Sequence, residues 1–158
     1  MGMLQGALAD RDGWSAVGRC PIEKTMSVVG IKSAMLIMRE AYYGTTRFDD
    51  FCRRVGITRA AASARLNDLV SAGLLERRPY REPGQRSRDE YVLTQAGTDL
   101  MPVVWGLFEW GRKHIPNASP LRLAHDGCGA LATVEIRCEK GHPVPPEELT
   151  VRVERPAQ

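Results

Sequence analysis

The amino-acid sequence predicts a mainly α-helical protein with a small amount of β structure (α+β), and three observations support this class. Apolar residues within 48–55 recur at i, i+3, i+4 and i+7, the spacing of one helix face. Gly56 then marks a turn, and Thr58 is a suitable N-cap for a second helix that stops at Gly73. Two extended runs follow and flank an arginine-rich loop. This order, over residues 47–94, is typical of a winged helix-turn-helix, which places one helix in a DNA groove.

The positive charge of the chain is concentrated on the same segment. The 158 residues carry a formal net charge of only +3, so the overall composition is weak evidence for a nucleic-acid partner. Residues 47–88, however, contain ten arginines and five acidic residues, a net charge of +5, whereas residues 116–158 carry a net charge of −1. The basic segment therefore coincides with the predicted DNA-reading module.

Several functional classes find no support in the sequence. No apolar run approaches the roughly 20 residues that a membrane-spanning helix needs. The first residues lack the basic and apolar regions of a signal peptide, so we expect a cytoplasmic protein with reduced cysteines. The sequence has no glycine-rich phosphate loop and no G-x-S-x-G motif, and its three histidines and scattered carboxylates form no convincing acid–base set. We therefore do not expect an enzyme.

Three further helices are predicted around the reading module. Pro21 suits a first helical position, because the N–H that it lacks would be unpaired there anyway, and this run stops at Gly30. A second helix over residues 33–43 has so broad an apolar face that we place it at the centre of the domain. A long C-terminal helix runs over residues 95–114, and Pro102 should kink it or set its start later.

Changes in composition divide the chain into three parts. Residues 1–19 are glycine-rich and aperiodic, and we interpret them as a flexible arm on which only Trp14 could dock. Residues 20–115 form the winged helix-turn-helix domain with its long last helix. Residues 116–158 open with a proline-containing breaker cluster and hold two alternating runs, which predict a small β-rich C-terminal module.

The helix after the turn carries the predicted base-reading side chains. Its apolar stripe faces the core, so the opposite face can enter the major groove, where the N-terminal half of a recognition helix reaches base edges. Arg59 can pair bidentately with guanine, Asn67 can read adenine, and Arg65 is better placed to hold a phosphate. Taken singly, both arginines are equally consistent with solvated surface charge. The residues predicted to contact DNA from this helix are Thr58, Arg59, Ala60, Ser63, Arg65 and Asn67.

The loop between the two extended runs is the predicted wing tip. It reads REPGQRSR over residues 81–88 and carries Arg81, Arg86 and Arg88 against Glu82 alone. An arginine-rich loop suits a phosphate track or insertion into the minor groove. An exposed loop kept soluble by its charge is the alternative. We favour DNA contact, because a basic hairpin lies where a winged helix needs one.

A series of spaced motifs between residues 20 and 115 carries a family resemblance. They are Cys20-Pro21-Ile22-Glu23, Gly30-Ile31-Lys32, Arg39-Glu40, Gly44, Arg47-Phe48, Ser63-Ala64-Arg65-Leu66, Gly73-Leu74, Tyr80, Glu90-Tyr91-Val92-Leu93-Thr94, Gly97 and Trp110-Gly111. With these motifs the chain resembles the HxlR-type winged-helix regulators of bacteria. The resemblance implies a homodimeric transcription factor that binds a palindromic operator. We expect this factor to be a repressor. The resemblance also implies dimer contacts from the first helix and the long last helix.

The sequence departs from the family pattern at one motif. Gly30-Ile31-Lys32-Ser33 stands where the family typically has Gly-Gly-Lys-Trp. The missing tryptophan should change core packing or an effector pocket, not the DNA module. Trp105, Phe108 and Trp110 are candidates to line such a pocket for a small-molecule effector, although aromatic residues at helical spacing are more often part of a dimer core.

Cys20 is a candidate redox sensor. Some members of the family that the chain resembles respond to oxidants or electrophiles through a cysteine at this position. The start of a helix and the adjacent Arg19 both favour the thiolate form. An inert, half-buried thiol or a simple helix cap is the alternative. Cys52 lies on an apolar stripe, where packing is the expected role.

The tail holds a candidate zinc site. His125-x-x-Cys128 and Cys138-x-x-x-His142 are two pairs of nitrogen and sulfur ligands, and together they could complete a tetrahedral site. Neither pair is a C-x-x-C knuckle. The two cysteines could instead pair across a hairpin, or pack, with both histidines at the surface.

A second class of function competes with DNA binding. A winged helix can also serve as a protein-docking or RNA-binding module without sequence-specific DNA contacts. Sequence-specific DNA binding predicts that affinity for a duplex falls strongly with salt, because phosphate contacts release counterions. It also predicts a large ratio of specific to nonspecific affinity, and neither result is expected for a docking or RNA-binding module.

Overall fold

The structure, a computed structural model, describes residues 3–81, 83–84, 86–117 and 119–153. The chain divides into two compact units. One is Pro21–Pro120, and the other combines Met1–Cys20 with Leu121–Gln158. None of the helices in the described ranges has the length and apolar character that crossing a lipid bilayer requires.

The unit Pro21–Pro120 consists of helices and one small sheet. In chain order its elements are α1 (Pro21–Val29), α2 (Lys32–Tyr42), α3 (Phe48–Val55), α4 (Arg59–Ser71), β1 (Leu75–Tyr80), β2 (Arg88–Leu93), α5 (Gln95–Asp99) and α6 (Met101–His114). The two strands pair antiparallel, with Leu75 opposite Leu93 and Tyr80 opposite Arg88. The predicted mainly α fold with a winged helix-turn-helix is therefore confirmed.

Local stop signals fix the geometry between α3 and α4. Gly56 ends α3 with a φ of 72°, a left-handed conformation that favours glycine. The Thr58 hydroxyl then accepts a hydrogen bond of 3.2 Å from the backbone N–H of Ala61, which caps α4 as predicted. These two residues aim α4 across the domain and leave its first turn at the surface.

The long C-terminal helix predicted over residues 95–114 is two helices. The Thr94 hydroxyl caps α5 by accepting from the backbone N–H of Gly97 at 3.1 Å, and Leu100 separates α5 from α6. Pro102 lies in the first turn of α6, where its missing N–H removes no helical hydrogen bond. The expectation that Pro102 delays the start of the helix is confirmed.

The hydrophobic core is organised around α2. Ile37 and Met38 of this helix are fully buried, and they pack in one cluster with Phe51 of α3 and with Leu66 and Leu69 of α4. Burying side chains of this size contributes about 1.5–3 kcal/mol each to the free energy of unfolding. The predicted central position of this helix is confirmed.

A buried carboxylate links α2 to α3. Glu40 is 6% exposed, and its Oε1 accepts from Arg39 at 2.7 Å while its Oε2 accepts from the Thr45 hydroxyl at 3.4 Å. The Arg54 guanidinium of α3 donates to the same hydroxyl at 3.2 Å. These contacts provide the partners that a buried charge requires.

Tyr42 joins the end of α2 to α5. Its hydroxyl donates a hydrogen bond of 2.6 Å to the backbone carbonyl of Gly97. Burial raises the pKa of Tyr42 from its ordinary value of 10.0 to about 12, so the hydroxyl remains a donor even in moderately alkaline solution.

The second unit contains less regular structure than predicted. In the described part of this unit, the alternating runs over 131–138 and 149–153 form no extended strands. The pairing found there consists of the isolated bridges Ala124–Leu131, Arg137–Pro143 and Leu4–Val151. The expected β-rich module is therefore wrong in extent. Pro145 and Pro146 follow the Arg137–Pro143 bridge, and because they lack an N–H they cannot extend it into a ladder.

The N-terminal segment belongs to this second unit. It contains a 3-10 turn at Gly6–Ala9, and the Trp14 indole N–H donates to the backbone carbonyl of Leu8 at 2.9 Å. The guanidinium of Arg11 lies 4.3 Å from the centre of the Trp14 ring. Trp14 is thus held by contacts within its own segment.

Candidate nucleic-acid interface

Helix α4 separates a buried side from an exposed side. Ala62, Leu66 and Leu69 are completely buried, which confirms the predicted core stripe. The opposite side is the base-reading face, which we define by the exposed residues Thr58, Arg59, Ala60, Ser63 and Asn67. Because the first turn of α4 is exposed on this side, the face has the form that a major groove accepts.

Arg59 is exposed but not freely solvated. Its side chain is 73% exposed, and its Nη1 forms an ion pair with Oδ1 of Asp49 in α3. The guanidinium carbon lies 4.9 Å from the centre of the Phe48 ring. The carboxylate and the ring together hold the guanidinium and leave its Nε–Nη2 edge for another acceptor. Sequence reasoning missed this contact of Asp49 with Arg59, because no local pattern relates residues on two different helices.

Asn67 is also engaged by a second residue. Nη2 of Arg77, on β1, donates to Oδ1 of Asn67. Reading adenine requires that the amide accept from N6–H and donate to N7, so Arg77 competes for the accepting oxygen. The Arg77 guanidinium also lies 5.9 Å from the centre of the Tyr91 ring. Arg77 therefore connects the base-reading face to the hairpin, and sequence reasoning missed it too.

Arg65 differs from Arg59 in its burial. Its side chain is only 26% exposed, and its Nη1 lies 3.0 Å from Oδ2 of Asp68, one turn further along α4. The half-buried stem and the intrahelical ion pair restrict where the guanidinium can reach. The role predicted for Arg65, contact with a phosphate, stays a prediction.

The wing consists of β1, β2 and the loop between them. Gly84 has a φ of 77°, which allows the turn at its tip, and Arg81, Arg86 and Arg88 are all exposed. Glu82, which the sequence places beside these arginines, lies outside the described residues. The arginines at the tip and at the start of β2 therefore present positive charge to the solvent.

A basic groove lies between the wing and the first turn of α4. Its volume is about 470 Å³. The residues that line this wing-base groove are Arg47, Phe48, Asp49, Arg59, Tyr80, Arg88, Asp89 and Tyr91. Three arginines against two aspartates give it a net positive charge. The groove therefore joins Arg59 of the base-reading face to Arg88 of the wing and carries a net positive charge, which favours phosphate.

Arg47 is fixed at the edge of this groove. Its guanidinium carbon lies 3.1 Å from the centre of the Tyr80 ring, and its backbone forms a bridge with Glu90 of β2. The backbone N–H of Tyr91 donates to the carbonyl of Thr46 at 2.8 Å. The segment before α3 is thus joined to the hairpin, which positions the wing relative to α4.

Cys20 immediately precedes α1. Its side chain is half-buried, and its backbone N–H donates to the carbonyl of Ala16 at 2.9 Å. Cys52 of α3 is buried to a similar degree, while Cys128 and Cys138 are exposed. The candidate redox role of Cys20 stays a prediction.

The four predicted zinc ligands are only partly brought together. His125 Nδ1 lies 3.1 Å from Sγ of Cys128, so this pair shares one turn. The backbone N–H of Cys138 donates to the carbonyl of His142 at 3.0 Å, which closes a second turn. Among the described residues, however, no three His, Cys, Asp or Glu side chains are grouped closely enough to hold a metal. The residues thus do not form a preassembled four-ligand site.

Comparisons with known proteins agree with this architecture. The model of the HxlR-like helix-turn-helix family matches residues 28–119. Uncharacterised HTH-type transcriptional regulators of Mycobacterium bovis and Mycobacterium tuberculosis are each 36% identical over 133 residues, which is 83% of this chain and 80% of each relative.

Solved structures show the same fold. PA1607, described as a candidate transcription factor, superimposes with a TM-score of 0.74 at 31% identity and covers 89% of this chain and 97% of its own. The reduced form of the redox regulator HypR has a TM-score of 0.56 at 30% identity over 61% of this chain and 95% of its own. The chain therefore belongs to the HxlR-like helix-turn-helix family and is a transcriptional regulator, a non-enzymatic class, with a helix-turn-helix DNA-binding fold.

Proposed function

We propose that the chain is a sequence-specific repressor that binds a palindromic double-stranded operator as a homodimer. The observation that carries the proposal is the base-reading face of α4, which stands exposed beside the wing-base groove and the basic wing. A helix reads bases in the major groove, while the neighbouring arginines supply sequence-independent affinity for phosphates. An RNA- or protein-docking module would not need this combination.

Two exposed apolar faces support the homodimer. On α1, Ile22 and Met26 are 73% and 52% exposed, and they share one face because they are four residues apart. On α6, Val103, Leu107 and Trp110 are 50–59% exposed at spacings of four and three residues. Large side chains repeated on one helix face are typical of a protein–protein contact. A symmetric dimer would bury them and place two copies of α4 on one duplex.

Selection of bound genomic fragments tests the proposal. We expect a palindromic motif with half-site centres about 10–10.5 base pairs apart, or a multiple of this distance. Affinity for the selected duplex should fall steeply with salt, and a random duplex should bind on the order of 1,000-fold more weakly. Fragments without a common motif, or tighter binding to RNA, would contradict it.

We also propose that oxidants modulate DNA binding through Cys20. The likeness to HypR, whose solved structures include a reduced and an oxidised form, supports this response. Diamide should weaken operator binding by the unmodified protein and by Cys52→Ser, but not by Cys20→Ser. Cys52 is the matched control, since it is half-buried like Cys20. Equal sensitivity of the two variants would contradict the proposal.

A zinc ion in the tail is a separate proposal, because His125 and Cys128 already share one turn. Elemental analysis of purified protein should find one zinc per chain, and Cys128→Ser should lose it while Cys52→Ser retains it. The absence of stoichiometric zinc from the unmodified protein would end this proposal.

A further inference from the structure

An apolar cavity lies between α2 and α6, away from the base-reading face. Its volume is about 280 Å³. Its walls are formed by Met35, Leu36, Val104, Trp105, Leu107 and Phe108. This volume is near the lower end of the range for small-molecule sites, so the cavity suits a ligand with one or two aromatic rings.

Aromatic contacts hold one wall of the cavity in place. The ring of Trp105 meets that of Phe108 edge-on, with centroids 6.0 Å apart and an interplanar angle of 88°. It also stacks on Tyr43 at 5.8 Å and 28°, and contacts Tyr42 at 5.9 Å. Because three neighbours restrain the indole, the wall is preformed, and a flat ligand would not have to order it.

Both polar residues at the cavity are cations. Lys32 and Arg39 lie seven residues apart on α2, two turns along the same side of the helix. Arg39 donates to Glu40 through Nε and Nη2, which leaves its Nη1 available to another acceptor. Lys32 is exposed, and the structure shows no ion pair for it within the described residues. An apolar cavity bordered only by positive charge is complementary to an apolar anion.

We propose that this cavity binds a small aromatic acid, with its ring system against Trp105 and Phe108 and its carboxylate or sulfonate between Lys32 and Arg39. The proposal names the site and chemical class of an effector, and its regulatory meaning rests on the DNA-binding function proposed above. Helix α2 packs against α3, α4 and α6. A ligand between α2 and α6 therefore contacts the helix on which the reading module is built.

Two fluorescent probes with one ring framework test the proposal directly. Naphthalene-1-sulfonate carries the acid, whereas 1-naphthol has the same two-ring framework with a neutral hydroxyl in place of the acid. Titrations use the full chain without DNA, so their outcome does not depend on the proposed operator binding. We expect Lys32→Gln to weaken the affinity for the sulfonate about fivefold, which corresponds to the loss of one exposed ion pair. The affinity for the neutral probe should not change.

Two further variants separate the cavity from other apolar surface. Lys113→Gln removes the same charge from the exposed end of α6, outside the cavity, and should change neither affinity. Leu36→Trp fills the cavity and should reduce the binding of both probes more than tenfold. Melting followed by circular dichroism checks that Leu36→Trp is folded. Lys32→Gln provides an independent test on an exposed residue.

Three results would overturn the proposal. They are the absence of sulfonate binding by the unmodified protein, equal effects of Lys32→Gln and Lys113→Gln, and unchanged binding in a folded Leu36→Trp. Binding that disappears as the protein concentration rises into the dimeric range would assign the cavity to a second copy of the chain. If both probes bind as expected but the protein does not bind DNA, the cavity is still a binding site for an aromatic acid. Only its role as an effector site for DNA binding is then contradicted.

Discussion

Helix α4 and the wing both present arginines, but in different settings. Arg59 is held between Asp49 and the ring of Phe48, and Arg65 is half-buried in an ion pair with Asp68. Arg86 and Arg88 of the wing are exposed like Arg59, but they lie in the loop and at the start of β2 and not on a helix. A guanidinium held by an ion pair matches one geometry, such as a base edge, while one on a loop adapts to any phosphate. We therefore expect α4 to provide specificity and the wing to provide general affinity.

The largest effect is expected from the wing. Arg86→Ala combined with Arg88→Ala removes two predicted phosphate contacts. Affinity should fall on the order of 100-fold on operator and random duplex alike, and the slope of log affinity against log salt should flatten by about two units. Fluorescence anisotropy at several salt concentrations measures both. An unchanged slope on both duplexes would remove the wing from the interface.

Truncating the restrained arginine should act differently. Arg59→Ala is expected to cost about 1–3 kcal/mol of binding free energy on the operator, because a bidentate base contact is lost. Binding to a random duplex should change less than about threefold, since nonspecific affinity depends on total phosphate contacts. Equal losses on both duplexes would show that Arg59 is only another phosphate ligand.

The ion pair of Arg59 offers a finer test. Asp49→Asn and Asp50→Asn remove the same charge from adjacent positions on α3, but Asp50 pairs with Arg53 at 2.5 Å and not with Arg59. Both variants should gain some nonspecific affinity. Asp49→Asn, unlike Asp50→Asn, should lower the ratio of specific to nonspecific affinity about fivefold. This factor corresponds to the free energy of one exposed ion pair. The same ratio in both variants would contradict a positioning role for Asp49.

The smallest effect is expected at Asn67. Arg77→Ala frees the amide oxygen of Asn67, so preference for adenine at the contacted position should increase about twofold to threefold. Arg78→Ala is the matched control, because Arg78 pairs with Glu76 on the same strand. Sequence selection with both variants reads this preference position by position. A shift of equal size in the control would assign the effect to charge alone.

The reading module was predictable where the signals are local. Thr58 as a cap, Gly56 as a turn and Pro102 as the start of a new helix each depend on a few neighbouring residues. The pair Asp49–Arg59 joins residues ten apart on two helices, and Arg77–Asn67 joins a strand to a helix. Sequence periodicity carries no information on such contacts, because they depend on how the elements pack.

The tail shows the limit of the same reasoning. Alternation over 131–138 does not indicate whether a neighbouring strand exists to pair with this run. Leu131, Val134 and Ile136 remain 68%, 44% and 53% exposed, so no buried face fixes a register. The zinc pattern is limited in a related way, since residue spacing sets no distance between two separate turns, and the zinc ion stays a prediction.

The break at Leu100 has a consequence for how regulators of this design diversify. In the proposed dimer, the direction of α6 decides how far apart two copies of α4 stand. Because α5 and α6 are separate helices, that direction depends on one short junction and on the packing of α6 against α2, and not on one continuous helix. Substitutions there can retune the distance between half-sites while the base-reading side chains stay the same. Regulators of this design can thus change their DNA targets through the junction at Leu100, without a change in the side chains that read bases.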